Sequence, residues 1–323
     1  MAYDLVTVSA ILCEIMRKEL DKPLDKPADF TGPYASGDTP ITVNIAAKLG
    51  AKTAVIGSVG PDPFGKCFKA QMVSSGVDVS MVKDIPGAST GCAFVCYYSD
   101  GSRDFLYHSR HAAAGMTHAE DLDMEKLQGT KWFHLTGYNM SVSKSLQETC
   151  YRIVDELPEG SRISFDPNIR PESLSVEEVR ELCRPVIEKA SIIFPSKTEA
   201  ALFTGCATDE EGYRLWADQG KLVVLKNGSE GCIIYQGNEK IPVPSFQVEE
   251  VDPTGAGDTF CGAFLTALIE GKPLSECGRF ACAAGAMSVR KQGPMALPAV
   301  QSWKRFSRPI HKRLILYRRM ESV

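Results

Sequence analysis

Asp252-Pro253-Thr254-Gly255-Ala256-Gly257-Asp258-Thr259-Phe260 joins two different periodicities. Val248–Val251 ahead of it reads as a strand. Behind it Phe260, Phe264, Leu265 and Leu268 recur at helical spacing until Gly271 and Pro273 stop the helix. Gly255-Ala256-Gly257 therefore falls on a strand-to-helix turn. Such a turn offers unpaired backbone N–H groups at the positive end of a helix dipole, and two glycines let an anion come close. Phosphate is the natural ligand. A carboxylate at the same turn repels phosphate unless it has a chemical role, and Asp258 is placed to act as general base for an attacking hydroxyl. The N–H groups would then hold charge developing on a transferred phosphoryl group. The plain structural alternative is an acidic helix N-terminus, where the dipole alone favours Asp.

Around this segment, short β-branched and apolar runs alternate with helical patterns: Leu5–Val8, Thr53–Ile56, Trp132–Leu135, Arg162–Phe165, Ser191–Phe194 and Leu222–Leu225. The alternation predicts parallel strands with crossover helices, an α/β, doubly wound and mainly parallel central sheet. One stretch breaks the rhythm. Gly91–Tyr98, then Asp100-Gly101, then Arg103–His108 reads as a hairpin, since Asp-Gly supplies the positive φ of a tight type I′ turn. It is either a sheet edge or a small lid over a site. After the polar, Pro-rich link Asp21–Tyr34, Thr39–Leu49 reads as a helix with Pro40 in its first turn, Asn44 inside it and Gly50 just beyond.

The chain has 323 residues, 44% hydrophobic and 24% charged, enough to bury a sizeable core. No internal repeat, low-complexity segment or long linker divides it, so residues 1–323 are expected to form a single domain. The net charge is -4, and basic residues are spread out until the C-terminus, which argues against nucleic acid and for a small-molecule partner. Near the end Lys304, Arg305, Arg308, Lys312, Arg313, Arg318 and Arg319 interleave with Trp303, Phe306 and Leu316, as in a packing or solvated helix. Eleven cysteines show no Cys-x-x-Cys pair and read as reduced thiols. The apolar stretch Leu5–Met16 is flanked by Asp4, contains Glu14 and follows no basic region, so it is not read as a signal peptide; no run reaches the roughly 18 apolar residues of a membrane span. A cytoplasmic protein, with no membrane contact, is expected.

The string 252–260 resembles the second signature of the ribokinase-like (PfkB) carbohydrate kinases, and the resemblance extends over nearly the full chain. It implies a ribokinase-like fold whose small β-sheet lid comes from roughly 12–38 and 88–116, covers the sugar and pairs two subunits as a homodimer. It also implies ATP and Mg2+, with Asp258 as base and the amides of Gly255, Ala256 and Gly257 as anion hole. Ser36-Gly37-Asp38 followed by Asn44 is similar to the family's first signature, with Ser36 where Gly is usual, and implies that Gly37, Asp38 and Asn44 bind sugar hydroxyls. Glu14, at the end of the first strand, stands where the family often has an acidic sugar ligand. Arg103, Tyr107 and Arg110 on the hairpin become candidate sugar contacts. Asp166-Pro167-Asn168-Ile169-Arg170 is similar to a string of the family's sugar and sugar-acid kinases, and it aims Arg170 at sugar or transferring phosphate.

Ser196-Lys197-Thr198-Glu199 takes the place of the family's Asn-x-x-Glu, which implies Ser196 beside the nucleotide and Glu199 holding hydrated magnesium. Lys226-Asn227-Gly228-Ser229-Glu230-Gly231 would be a hairpin turn on structure alone; the resemblance places Lys226, Gly228 and Gly231 by the phosphates and ribose. Ala281–Pro298 resembles the helix and loop that pack against adenine, through Gly285, and enclose a monovalent cation. Asp252, Thr254, Ser288 and Gly293 are the implied ligands of a potassium site, which stays an open alternative. Gly32–Gly50, Gly101–His108 and Asp166–Arg170 look most like the branch acting on ketohexoses such as tagatose or fructose and on 2-keto-3-deoxygluconate. Arginines 103, 110 and 170 would suit the sugar acid, whereas Ala112-Ala113-Ala114-Gly115 looks more like the ketohexose members. Phosphorylation of a primary hydroxyl of a small sugar is therefore expected. A catalytically silent sugar-binding or regulatory member is the alternative of another class, motivated by Ser36 and Ser196. A dinucleotide-binding oxidoreductase is set aside because no Gly-x-Gly-x-x-Gly follows the first strand.

Overall fold

The computed structural model describes residues 2–169 and 174–295, so the expectations for Arg170, Pro298 and the basic stretch 303–319 lie outside the described residues. In chain order the first elements are β1 (Leu5–Ser9), β2 (Leu12–Arg17), β3 (Phe30–Ser36), α1 (Asp38–Lys48), β4 (Thr53–Val59), α2 (Pro63–Ser74) and β5 (Asp78–Asp84). β6 (Gly91–Tyr97), β7 (Arg103–His108), β8 (Trp132–Thr136), α3 (Gly137–Val142), α4 (Lys144–Asp155), β9 (Arg162–Asp166) and α5 (Val176–Lys189) follow. The remainder comprises β10 (Ile192–Ile193), α6 (Glu199–Thr204), α7 (Asp209–Asp218), β11 (Leu222–Lys226), β12 (Cys232–Gln236), β13 (Glu239–Val243), α8 (Ala256–Ile269) and α9 (Leu274–Ser288).

The central sheet runs β13-β12-β11-β10-β9-β8-β1-β4-β5. Every pair from β11 to β5 is parallel, and β12 and β13 add an antiparallel edge. The expected doubly wound sheet is therefore present, with β10 cut to two residues. Its strands read as unbroken apolar runs because both faces are covered. Val6, Phe133 and Leu135 join Leu146 of α4 and Trp216 of α7 on one face; Leu5, Val55 and Val224 join Val43 of α1, Phe68 of α2 and Phe264 of α8 on the other. Alternate side chains thus feed two cores, each fully buried Leu or Phe contributing roughly 1.5–3 kcal/mol.

A second sheet, β3-β2-β6-β7, stands apart, with β2–β6 parallel and both outer pairs antiparallel. Its strands lie inside the two stretches, 12–38 and 88–116, expected to build a lid. Three local expectations change. Glu14 is not at the end of the first strand but within β2, in the small sheet. In the β6–β7 turn only Gly101 takes a positive φ (84°): its N–H donates to Tyr98 O, and Tyr98 N–H donates to Ser102 O, both at 3.0 Å. A turn closed by one left-handed glycine needs no second positive φ, so the type I′ expectation fails at Asp100. Val248–Val251 forms no strand. β13 is already the sheet edge, and Val251, 61% exposed, bonds through its N–H to Val289 O at the end of α9 (2.7 Å).

Candidate active site

The loop before α8 ends in a β-turn, Pro253–Ala256. Ala256 N–H donates to Pro253 O at 3.3 Å, and Gly255 takes φ 74°, ψ 7° at the third position, which glycine alone adopts without strain. A Cβ there would also meet Pro294 O at 2.7 Å. The anion turn thus follows a loop rather than a strand, and of the three amides expected to hold an anion, that of Ala256 is already engaged. Thr42 of α1 donates to Asp258 O at 3.2 Å and ties the two helices together. The turn forms a wall shared by two cavities. Thr254, Gly255 and Asp258 face a cavity of about 360 Å3, while Pro253, Ala256 and Gly257 face another of about 270 Å3.

The larger cavity is roofed by the small sheet. Glu14, Gly37, Asp38, Arg103 and Tyr107, all named above as candidate sugar contacts, line it. Asp38 is 8% exposed and fixed from four sides: Oδ1 accepts from Thr39 N (2.7 Å) and Asn139 Nδ2 (3.0 Å), Oδ2 from Thr136 Oγ1 (2.6 Å) and Asn168 Nδ2 (3.0 Å). Ser36, which departs from the Gly-Gly pattern, donates to Glu14 Oε1 at 2.7 Å and so orients an acid on the cavity wall. Two expected sugar ligands are not brought here. Asn44 is buried and donates to Ser75 Oγ at 2.8 Å, because six residues along α1 is about one and two-thirds turns and carries it off the Asp38 face. Ile41 lines the cavity instead. Arg110 is exposed and outside the lining. Sequence reasoning missed Thr136, Tyr138 and Asn139; Thr136 ends β8 and the other two lie in the first turn of α3 behind it, and the rule that α/β sheets bind ligands at strand carboxyl ends is the signal that could have found them.

The smaller cavity is lined by Lys226, Gly228, Gly231 and Gly285, the residues named above as candidate nucleotide contacts, with Phe246 and Phe260 on its apolar wall. Ser196 is not in that wall; its N–H donates to Glu199 Oε2 at 2.6 Å. Lys226 Nζ pairs with the carboxylate of Asp166 and lies 3.7 Å from where a Cβ on Gly257 would stand. Burial alone would lower its pKa, but the charge of Asp166 outweighs that and raises it, so the ammonium stays charged beside the anion turn. Glu199, also buried, accepts from Ile169 N at 3.2 Å; burial and then the nearby Asp166 charge push its pKa up. Among the described residues no group of three or more His, Cys, Asp or Glu could ligate a metal directly. Both Glu199 oxygens accept backbone N–H groups, so this carboxylate and Asp166 would hold a hydrated, hard cation such as Mg2+ through water rather than by direct ligation.

The four residues implied for potassium do not fit a cation shell. Asp252 Oδ1 accepts from Tyr97 OH (3.0 Å) and Thr254 N (2.9 Å), its Oδ2 from Gly293 N (2.8 Å), and Ser288 Oγ is turned to Gly285 O (2.8 Å). Every one of these contacts is a hydrogen bond already made within the chain.

A cleft with an apolar wall and a polar, roofed cavity thus meet at the turn that carries Asp258. The model of the pfkB family of carbohydrate kinases matches residues 17–300, and this chain belongs to that family. Fructokinase-2 of Solanum lycopersicum is 32% identical over 82% of this chain and 84% of its own length. Fructokinase-1 of Oryza sativa subsp. japonica is 34% identical over 82% and 85%. An Escherichia coli protein provisionally designated Ribokinase II, solved with ATP and Mg2+, superposes with a TM-score of 0.89 at 33% identity, covering 95% of this chain and 99% of that one. The protein is accordingly a ribokinase-like sugar kinase.

Proposed function

We propose that the protein transfers the γ-phosphoryl group of ATP to a primary hydroxyl of a neutral ketohexose, fructose or tagatose in the first instance. The observation that carries this reading is the shared wall: Asp258 faces the polar cavity while Gly257 and Lys226 face the nucleotide cavity across the same turn. Sugar bound under the lid would present its hydroxyl to Asp258, which takes the proton. Gly257 and the Lys226 ammonium then hold charge on the phosphoryl group, and the roof keeps competing water out. Magnesium entering with ATP would be held through water by Glu199 and would neutralise phosphate charge. Three carboxylates in the cavity, Glu14, Asp38 and Asp258, against the exposed guanidinium of Arg103, favour a neutral sugar over the sugar acid. The fructokinase relatives point the same way, and the intact base and turn weigh against a silent regulatory member.

The same reading takes residues 1–323 as one kinase domain with the lid inserted, working in the cytoplasm, where eleven free thiols are at home. It also pairs two copies through the lid, whose outer face carries Phe30 (36% exposed) and Leu106 (47% exposed). The test is sugar-dependent ADP release with fructose, tagatose, 2-keto-3-deoxygluconate and adenosine. Highest kcat/KM on a ketohexose is expected; preference for the acid or the nucleoside would overturn the assignment.

A further inference from the structure

Tyr97 is the last residue of β6, and its side chain leaves the small sheet for the loop ahead of α8. Its hydroxyl lies 3.0 Å from Asp252 Oδ1 and 2.6 Å from Thr254 Oγ1. An ionised carboxylate has no proton to give, so the phenol donates to Asp252 and the Thr254 hydroxyl donates to the phenol oxygen. Asp252 is 2% exposed, and a carboxylate so buried needs either several donors or a cation. It has the donors: this phenol from the lid, Thr254 N from its own turn and Gly293 N from beyond α9. Burial and the charge of Asp252 raise the phenol pKa, so the group remains a donor throughout the physiological range.

We propose that Tyr97 is a positioning residue that takes the place of a monovalent cation at Asp252, fixing the Pro253–Ala256 turn from the lid rather than through an ion. The arrangement has a direct consequence for the reaction. The Val251 and Asp252 N–H groups anchor the loop to Val289 O, and Gly293 holds the far carboxylate oxygen; the near oxygen accepts from Thr254 N of its own turn and from Tyr97, and among the described residues it is Tyr97 that ties that oxygen and the Thr254 hydroxyl to the roof. Thr254 lines the sugar cavity and Gly255 follows it, so the contact that seats the lid also sets the turn that receives the phosphoryl group. Seating of the roof and organisation of the anion turn are thereby coupled through one side chain.

The test compares wild type and Tyr97→Phe with whichever sugar wild type turns over best, in KCl and in tetramethylammonium chloride at equal ionic strength. The choice of sugar keeps this result separate from the ketohexose assignment. Wild-type kcat is expected to agree between the two salts within about threefold, since no ion is needed at Asp252. Tyr97→Phe is expected to lose about tenfold in kcat in tetramethylammonium, as befits one hydrogen bond to a charged group, with the sugar KM nearly unmoved. Potassium should then restore most of that loss by occupying the vacated position. A wild type stimulated more than about threefold by potassium overturns the proposal, as does a variant that keeps its kcat or loses it without gaining a potassium response. Should Tyr97→Phe fail to fold, the wild-type salt comparison decides alone.

Discussion

Replacing Lys226 by Met separates the two things its ammonium does. The Lys226 side chain is 14% exposed, and its ion-pair partner Asp166 has a side chain that is 1% exposed. Deleting the ammonium leaves a carboxylate in the interior without a counter-charge, which costs about 3–5 kcal/mol. Adding Asp166→Asn removes the stranded charge, so the double variant should regain most of that stability. Catalysis should behave differently. The ammonium lies beside Gly257 on the nucleotide side of the turn, where phosphate charge would gather. Losing one such group costs about a hundredfold or more in kcat, and the double variant cannot recover it. The assays are urea unfolding of Lys226→Met and Lys226→Met/Asp166→Asn, and ADP release at saturating ATP and sugar. A double variant with near wild-type turnover, or a single variant no less stable than the double, would refute the assignment of Lys226 to both roles.

Asp258→Asn should lower kcat by about a hundredfold to ten-thousandfold while ATP affinity, read by fluorescent-nucleotide displacement, stays within about threefold; near-normal turnover would remove Asp258 as the base. His134 is wholly buried, and burial pushes its pKa down to about 4 from an ordinary value near 6.5. The folded state therefore resists a proton that the unfolded state accepts, and stability falls as pH drops from about 6.5 toward 4, by about 2 kcal/mol at pH 5. His134→Leu should flatten that slope in urea unfolding at pH 7.5 and 5, and an unchanged slope would locate the acid sensitivity elsewhere. Leu106→Glu, on the outer lid face, should shift a dimer to monomer in light scattering without changing the monomer's melting profile; a wild type that is already monomeric ends the lid-pairing idea.

Which parts of this site were legible follows from the range of the forces that build them. The six strands of the parallel sheet named from the sequence, the glycine turn at the head of α8 and the Lys226–Gly231 hairpin are set by periodicity and glycine chemistry within a few residues, and they are found there, though β10 is cut to two residues and the turn follows a loop. Val248–Val251 failed because a β-branched run becomes a strand only with a partner, and β13 had already closed the sheet edge. Tyr97 and Asn139 were invisible for a related reason: their contacts to Asp252 and Asp38 span 155 and 101 residues, and no local pattern encodes them. Ser36 is the instructive case. Against a Gly-Gly pattern it is a departure that weakens the site, yet its hydroxyl orients Glu14, the acid facing the sugar cavity. Asn44 errs in the opposite direction, fitting the motif by type while helical geometry turns it toward Ser75. At this site a residue's type is therefore a weaker guide to its role than the face on which the backbone presents it, and that face is fixed by packing between α1, α8 and the lid.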